Sequence, residues 1–145
     1  MIRGYFVRSG ERRRPFVDTI FEFPPDGGLF EAHLLVDTGA DRTILSPLDA
    51  RRLGRELGID IARLRRGDRS TGVGGQTETR VIEAVILLDS FSTSLPLHIL
   101  DPASELRIPS LLGRDVLSRF ALIVEQRTDR VLLLEAEEAD ALRLP

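Results

Sequence analysis

The stretch HLLVDTGADRTILS, residues 33–46, decides how the rest of the chain is interpreted. The apolar residues 34–36 have the character of a buried strand, which ends on the carboxylate of Asp37, followed by Thr38 and Gly39. Burying an ionised carboxylate costs free energy unless the group is paired, hydrogen-bonded or protonated. A core strand that leads directly into an aspartate therefore indicates that this carboxylate has a structural or chemical task.

The composition is that of a globular protein of ordinary size. A chain of 145 residues is long enough for one domain, and 42% apolar against 30% charged residues is typical of such domains. The chain has no cysteine, so disulfides and thiolate metal sites are excluded, and we expect neither a metal nor another cofactor. No apolar run approaches a membrane span and the N-terminus has no secretory signal pattern, so we expect a cytoplasmic protein without a membrane partner.

The charge gives no reason to expect a nucleic-acid partner. The formal net charge is −3, whereas domains that bind nucleic acid are usually basic. The local exception is the cluster of Arg12, Arg13 and Arg14 close to Gly10, which we interpret as a solvated turn.

Most segments have the pattern of β-strands. Residues 14–23 are rich in β-branched and aromatic residues, the next strand is predicted for residues 29–36, and the turn cluster PPDGG at 24–28 separates the two. A long strand is predicted for residues 77–88, after the glycine-rich segment TGVGGQ, and a hairpin for residues 121–135. Shorter strands are predicted within residues 1–8, 42–45, 93–100 and 106–112.

One helix and one or two helical turns complete the prediction. Ser46 is a suitable N-cap, Pro47 suits the first helical position and Gly58 suits the stop, which predicts a helix over residues 47–57. The segment GRDVLSRF at 113–120 predicts one or two turns, and the tail 136–145 a frayed helix or a disordered segment. The apolar positions of the helix predicted over residues 47–57 are Leu48, Leu53 and Leu57. The chain is thus predicted to be a single mostly-β domain over residues 1–145.

The position of Asp37 suits acid–base chemistry. A carboxylate at the end of a buried strand, on a turn that Gly39 makes permissive, is held in place and partly desolvated. Thr38 offers a hydroxyl to the turn, and Ala40 is small enough to leave room beside the carboxylate. One carboxylate cannot be acid and base at once. The alternative is a structural turn aspartate that accepts backbone N–H groups.

The segment LLVDTGADRTILS resembles the active-site segment of the retroviral-type, or retropepsin-like, aspartic proteases, in which apolar residues precede Asp-Thr-Gly-Ala-Asp. Two further segments follow in that family's order. TGVGGQ is similar to the flap, and LLGRDVL, residues 111–117, is similar to the second signature. The resemblance extends over about residues 29–134. It implies a single-lobe, closed β-barrel-like acid protease fold with a flap hairpin and one or two short helices.

The resemblance also implies an activity and a homodimer. Because the chain has a single Asp-Thr-Gly loop, two copies would each supply Asp37 to a shared site on a two-fold axis. One carboxylate would act as general base on a water and the other as acid on the peptide carbonyl. Thr38 would hydrogen-bond across the axis, Asp41 would contact the substrate backbone, and Arg114 would pair with Asp41.

The resemblance assigns three groups of site residues. One departure from the family's pattern is Arg42, which would place a cation near one substrate subsite, and another is the long helical segment between site and flap. The groups are Asp37, Thr38 and Gly39 for catalysis; Ala40, Asp41, Arg42, Gly72, Val73, Gly74 and Gly75 for substrate binding; and Leu111, Leu112, Gly113, Arg114 and Asp115 for structural support.

Two functions therefore remain open. The first is an aspartic endopeptidase that cleaves extended peptide segments, which the intact Asp-Thr-Gly loop favours. The second is a dimeric peptide-binding or assembly module with weak or no catalysis. The alternative for the segment GVGG is an ordinary hairpin loop, and the alternative for Arg114 and Asp115 is the start of a solvated helix. His33 and His98 lie in separate strand-like segments without ligand spacing, and we interpret both as structural.

Overall fold

Thirteen β-strands and three α-helices form in the part of the chain that the computed structural model describes, residues 1–72, 75–143 and 145, with the backbone alone at 70–72 and 75. The strands are β1 (Ile2–Arg3), β2 (Tyr5–Ser9), β3 (Arg12–Phe23), β4 (Gly28–Val36), β5 (Ile44–Leu45), β6 (Arg65–Arg66), β7 (Ser70–Gly72), β8 (Gly75–Thr77), β9 (Thr79–Leu88), β10 (Phe91–Leu100), β11 (Ser110–Leu112), β12 (Ala121–Glu125) and β13 (Arg130–Leu134). The helices are α1 (Pro47–Leu57), α2 (Arg114–Leu117) and α3 (Ala136–Ala141), and a single 3₁₀ turn spans Ile61–Arg63.

Six strands close into a barrel. Their order is β3, β4, β11, β5, β10 and β9, and β9 pairs back onto β3. Closure leaves these six strands without an open edge, while β2 and β6 extend the sheet from β3 and β9. The closed, mostly-β fold that the resemblance implied is therefore confirmed.

The strands bury one face, as their alternating sequences predict. In β4, Phe30, Ala32, Leu34 and Val36 point into the core, and the residues between them are more exposed. Val36 is the last residue of β4 and its side chain points into the core. Asp37 therefore lies where the chain leaves the barrel interior.

A second, three-stranded sheet has the order β1, β13 and β12, so that β12 lies at one edge. The tail that follows β13 forms helix α3, and the amino group of Met1 pairs with Glu138 of this helix at 2.5 Å. No helix among the described residues has the length and hydropathy needed to cross a membrane.

Helix α1 forms with the predicted caps. Ser46 Oγ accepts a hydrogen bond from Asp49 N at 3.1 Å, and Gly58 ends the helix with a φ of 67°. Of the apolar positions of the helix, Leu53 is buried, whereas Leu48 is 59% exposed. The buried Leu53 lies five positions further along the helix, so its side chain points about 140° away from that of Leu48 around the helix axis.

Two strand predictions also need correction. The cluster of Arg12, Arg13 and Arg14 is the beginning of β3 and not a turn; the turn lies at residues 10–11. Residues 77–88 are not one strand, because Glu78 separates β8 from β9.

Candidate active site

The loop after β4 holds Asp37 by its backbone and by its side chain. Asp37 N donates to Leu112 O at 3.1 Å, and Ala40 N donates to Asp37 O at 3.2 Å. The Asp37 carboxylate accepts a hydrogen bond from Gly39 N at 2.9 Å. Asp37 is half-buried, whereas Thr38 and Gly39 are exposed. The carboxylate is thus fixed in a turn whose tip reaches the surface of this chain.

The second signature segment lies directly behind this loop. Strand β11 runs parallel to β4 with Leu112 opposite Val36, which brings the residues after β11 beside the loop. Arg114 N donates to Ala40 O at 2.8 Å, and Asp115 N donates to Asp41 O at 3.2 Å. The two segments that the sequence analysis connected by resemblance are therefore connected by main-chain hydrogen bonds.

A buried threonine completes this support. Thr43, which is fully buried, donates from its N to Asp115 Oδ2 at 2.9 Å and from its hydroxyl to Asp115 Oδ1 at 2.7 Å. Gly113 N in turn donates to Thr43 Oγ1 at 3.2 Å. A side chain at Gly113 has no room, because a Cβ there would lie 2.4 Å from the carbonyl carbon of Arg42.

Arg114 also reaches the loop with its side chain. Its Nη2 pairs with Asp41 Oδ1, which is the pairing that the resemblance implied. The side chains of Arg114 and Asp41 are 58% and 77% exposed, so solvent screens the pair and its contribution to stability is small. Its effect is to hold the Asp41 carboxylate in a defined direction.

A cleft of about 720 Å³ opens beside the loop, within the usual size range of ligand pockets. Its wall includes six of the predicted site residues. Thr38, Leu112, Gly113, Arg114 and Asp115 lie outside the wall, and the last four support the loop as given above. The six in the wall are Asp37, Gly39, Ala40, Asp41, Arg42 and Leu111.

Four charged or titratable cleft residues were missed by the sequence analysis: Arg14, Asp68, Arg69 and His98. His98 is only 7% exposed, and its Nε2 lies 3.1 Å from Arg42 Nη1. Burial and the Arg42 guanidinium lower the pKa of His98. No local sequence signal marks His98 as a cleft residue. It reaches the site because β10 pairs with β5, which places His98 opposite Ile44.

The glycine-rich segment forms the base of a hairpin. Strands β7 and β8 pair antiparallel, with Ser70 opposite Thr77 and Gly72 opposite Gly75. Thr77 belongs to the cleft wall. Val73 and Gly74, the predicted substrate-binding residues at the tip, lie outside the described residues.

A second polar cluster lies outside the cleft, on β2, β3 and β4. Asp18 Oδ1 accepts a hydrogen bond from the Tyr5 hydroxyl at 2.5 Å and lies 2.6 Å from His33 Nδ1. Burial favours a higher pKa for Asp18, but the hydrogen bonds from Tyr5 and His33 outweigh it and lower the pKa. Among residues 1–72, 75–143 and 145, no group of three His, Asp or Glu residues is arranged to hold a metal ion.

Comparison with known proteins identifies one family. The model of the family described as "gag-polyprotein putative aspartyl protease" matches residues 28–119, which is more than half of the chain. The match includes the Asp37 loop, the glycine-rich hairpin and the segment LLGRDVL. No curated protein sequence matches the chain.

Two solved structures share the fold. The EIAV protease complexed with the inhibitor HBY-793 is 25% identical, with a TM-score of 0.54, over 77% of this chain and 92% of that one. A retropepsin-like aspartic protease from Rickettsia conorii is 20% identical, with a TM-score of 0.56, over 88% of this chain and 86% of that one. The retropepsin-like fold inferred from three sequence segments is therefore confirmed.

Proposed function

Because the chain belongs to the family of gag-polyprotein aspartyl proteases, we propose that it is an aspartic endopeptidase whose active site is completed by a second copy of the chain. The observation that carries the proposal is the placement of Asp37. Its carboxylate stands at the end of a buried strand, in a turn braced by the β11–α2 segment, and lines a cleft.

The single loop is the reason for proposing a homodimer. One chain supplies one Asp-Thr-Gly loop, and its tip residues Thr38 and Gly39 are exposed. A two-fold axis at this tip would bring two copies of Asp37 together, with Thr38 of each copy positioned to hydrogen-bond across the axis. Two carboxylates in contact do not both ionise readily and share one proton. The pair would then contain one base and one acid.

The proposed reaction has two steps and no covalent intermediate. The ionised carboxylate removes a proton from a water, the water oxygen bonds to the peptide carbonyl carbon, and the protonated carboxyl transfers its proton to the carbonyl oxygen. The resulting gem-diol collapses as its C–N bond breaks: the carboxyl that took the water proton donates it to the leaving nitrogen, and the other carboxylate takes a proton from one hydroxyl. The products are a carboxylic acid and an amine.

The substrate would be an extended peptide segment. Asp41, held by Arg114, stands in the cleft wall where a carboxylate can accept hydrogen bonds from a peptide backbone. The hairpin of β7 and β8, which includes Gly72 and Gly75, would act as the flap above the peptide. Leu111, Ala40 and Arg42 would contact its side chains.

The second sheet offers a seam for the proposed dimer. Strand β12 lies at the edge of this sheet, and an edge strand presents unpaired backbone groups to another chain. Two copies of β12 paired across the two-fold axis would extend two three-stranded sheets into one of six strands. The hairpin of β12 and β13 would then hold the two Asp37 loops together.

The experiment that tests the activity is cleavage of a mixed peptide library between about pH 4 and 7, the range in which a shared-proton carboxylate pair can act. We expect specific cuts by the wild type, at a rate per chain that rises with protein concentration as a dimer requires. Asp37→Asn should abolish cleavage, and Asp140→Asn, an equal change at an exposed residue of α3, should not.

The alternative is the peptide-binding module, and one contact favours it. Gly39 N donates to the Asp37 carboxylate, as it would to a purely structural turn aspartate. If the wild type makes no cuts in a sample shown to be dimeric, the proposed endopeptidase activity is overturned in favour of the peptide-binding module.

A further inference from the structure

The Arg42 side chain bridges the floor of the cleft and the segment that leads into the β7–β8 hairpin. Its Nη1 lies 3.1 Å from His98 Nε2 on β10 and 2.6 Å from Asp68 Oδ2, two residues before β7. All three residues belong to the cleft wall. Arg42 is thus a cation held at a defined place beside the proposed substrate path.

His98 is the fixed support of this cation. Its imidazole is buried, and burial together with the Arg42 charge lowers its pKa, which favours the neutral ring. A neutral imidazole can accept one hydrogen bond from a guanidinium without neutralising its charge. His98 therefore positions Arg42 and leaves it fully cationic.

Asp68 is a weak and replaceable partner. Its side chain is 73% exposed and that of Arg42 is 44% exposed, so water and salt screen the pair. A guanidinium has five N–H donors. Among the described residues, the hydrogen bonds and ion pair of Arg42 all use Nη1, so Nε and Nη2 are available to a ligand.

The charges around Arg42 favour an anionic ligand. Arg14 and Arg69 line the same cleft as Arg42. Of the three carboxylates in the wall, Asp41 is paired with Arg114, Asp68 is the exposed partner of Arg42, and Asp37 belongs to the proposed catalytic pair. The wall also has apolar members, which would suit apolar residues of a peptide next to the acidic one. Its apolar members include Ile44, Leu100, Leu106, Ile108, Pro109 and Leu111.

We propose that Arg42 forms a subsite for an acidic side chain, so that the enzyme prefers peptides in which a Glu or Asp lies near apolar residues at the cut. This inference rests on the proposed function. The carboxylate of the substrate would bind the free edge of the guanidinium formed by Nε and Nη2, a geometry that arginine offers and lysine does not. His98 acts as a positioning residue, and the Asp68 carboxylate on Nη1 is a nearby negative charge that weakens the attraction of Arg42 for a second carboxylate.

The two-fold axis of the proposed dimer adds a specific expectation. Each copy contributes one Arg42, so the preference for an acidic side chain should appear at two positions placed symmetrically about the cleaved bond. Placing Glu at both positions should multiply the two effects, since the subsites are separate.

The test compares peptides that differ only by Glu or Gln at each position around a cut found in the library. Gln has the shape of Glu without its charge. We expect kcat/KM of the wild type to be about tenfold higher for Glu at the two symmetric positions, the effect of a hydrogen-bonded charge pair. In Arg42→Gln the Glu/Gln ratio should fall to about one, while the Gln peptide is still cleaved.

Two further variants keep the test independent of folding defects. Asp68→Asn removes the negative charge beside Arg42 and keeps Arg42, so it should raise the Glu/Gln ratio above that of the wild type. His98→Gln should lower the ratio by raising KM for the Glu peptide, whereas a general loss of folding would affect both peptides equally. The control is Arg65→Gln, which removes an arginine paired with Glu83 outside the cleft wall and should leave the ratio unchanged.

Binding separates this inference from the proposed activity. The same labelled peptides are titrated into Asp37→Asn and into Asp37→Asn with Arg42→Gln, and fluorescence anisotropy is measured. Tighter binding of the Glu peptide by the first protein alone supports the subsite even if the wild type cleaves nothing, which would overturn only the protease. Equal kcat/KM and equal affinity for the Glu and Gln peptides would overturn the subsite and leave the protease standing.

Discussion

The Asp115 carboxylate holds Thr43 by two hydrogen bonds, one from the backbone N at 2.9 Å and one from the hydroxyl at 2.7 Å. Thr43 is fully buried and follows the candidate catalytic loop within the chain, whereas Asp115 lies in helix α2. The carboxylate therefore fixes the end of the loop to a segment 72 residues away. Asp115 therefore supports the loop of the candidate site and is not only a solvated helix residue.

Substituting Asp115 should destabilise the fold and loosen the loop. In Asp115→Ala we expect the free energy of unfolding to fall by about 1 to 2 kcal/mol, because Thr43 N loses a charged acceptor in a partly buried place. Chemical denaturation measures this change, with Asp140→Ala on the exposed face of α3 as the control. An equal loss of stability in the two variants would contradict the bracing role.

Two glycines should respond to alanine in opposite directions. At Gly113 a Cβ would lie 2.4 Å from the Arg42 carbonyl carbon, so Gly113→Ala should displace the loop and cost about 1 to 3 kcal/mol or more. At Gly54, within α1, a Cβ would meet only Ile59 O at 3.6 Å, so Gly54→Ala should gain about 0.5 to 1 kcal/mol. Thermal unfolding of both variants measures this contrast. The close approach at Gly113 would be refuted if its alanine variant were as stable as the wild type.

The parts of the fold that the sequence predicts are those with local signals. Ser46, Pro47 and Gly58 are cap residues whose preferences follow from their own backbone and side-chain chemistry, and helix α1 begins and ends where they indicate. The loop at Asp37 and the segment LLGRDVL were identified by resemblance, and their contact through Leu112 O agrees with it.

The parts that the sequence does not predict depend on pairing between distant strands. His98 reaches Arg42 only because β10 pairs with β5 in a register that places His98 opposite Ile44. Interpreting His98 as purely structural therefore missed its place in the cleft wall. Arg14 entered the wall for a similar reason, since it belongs to β3 and not to a turn.

The burial of His98 should make folding stability depend on pH in a defined direction. Its pKa in the folded chain is lowered, chiefly by burial and next by Arg42. In the unfolded chain histidine has its ordinary pKa of about 6.5 and binds a proton at a pH where folded His98 does not. Stability from this group is therefore present above about pH 6.5 and is lost as the pH falls from there through the lowered pKa of His98 in the folded chain.

Denaturation at about pH 7.5 and 5.5, on either side of the ordinary histidine pKa, measures this dependence. The wild type should lose more stability on acidification than His98→Gln does. His33→Gln, which removes the exposed histidine beside Asp18, should retain the His98 contribution. Identical losses in the wild type and in His98→Gln would show that the protonation of His98 is not linked to folding.

Strand β12 provides the last prediction, which concerns the proposed dimer. Val124 on this edge strand is 39% exposed, and two copies of β12 across a two-fold axis would bring two such residues close together. Val124→Lys should therefore raise the dimer dissociation constant by about tenfold or more, because like charges meet at the seam. Leu48→Lys on α1, an equal charge change at a residue that is 59% exposed, should leave the constant unchanged. Sedimentation velocity over a concentration series measures both constants, and a dimer equally strong in both variants would place the seam elsewhere.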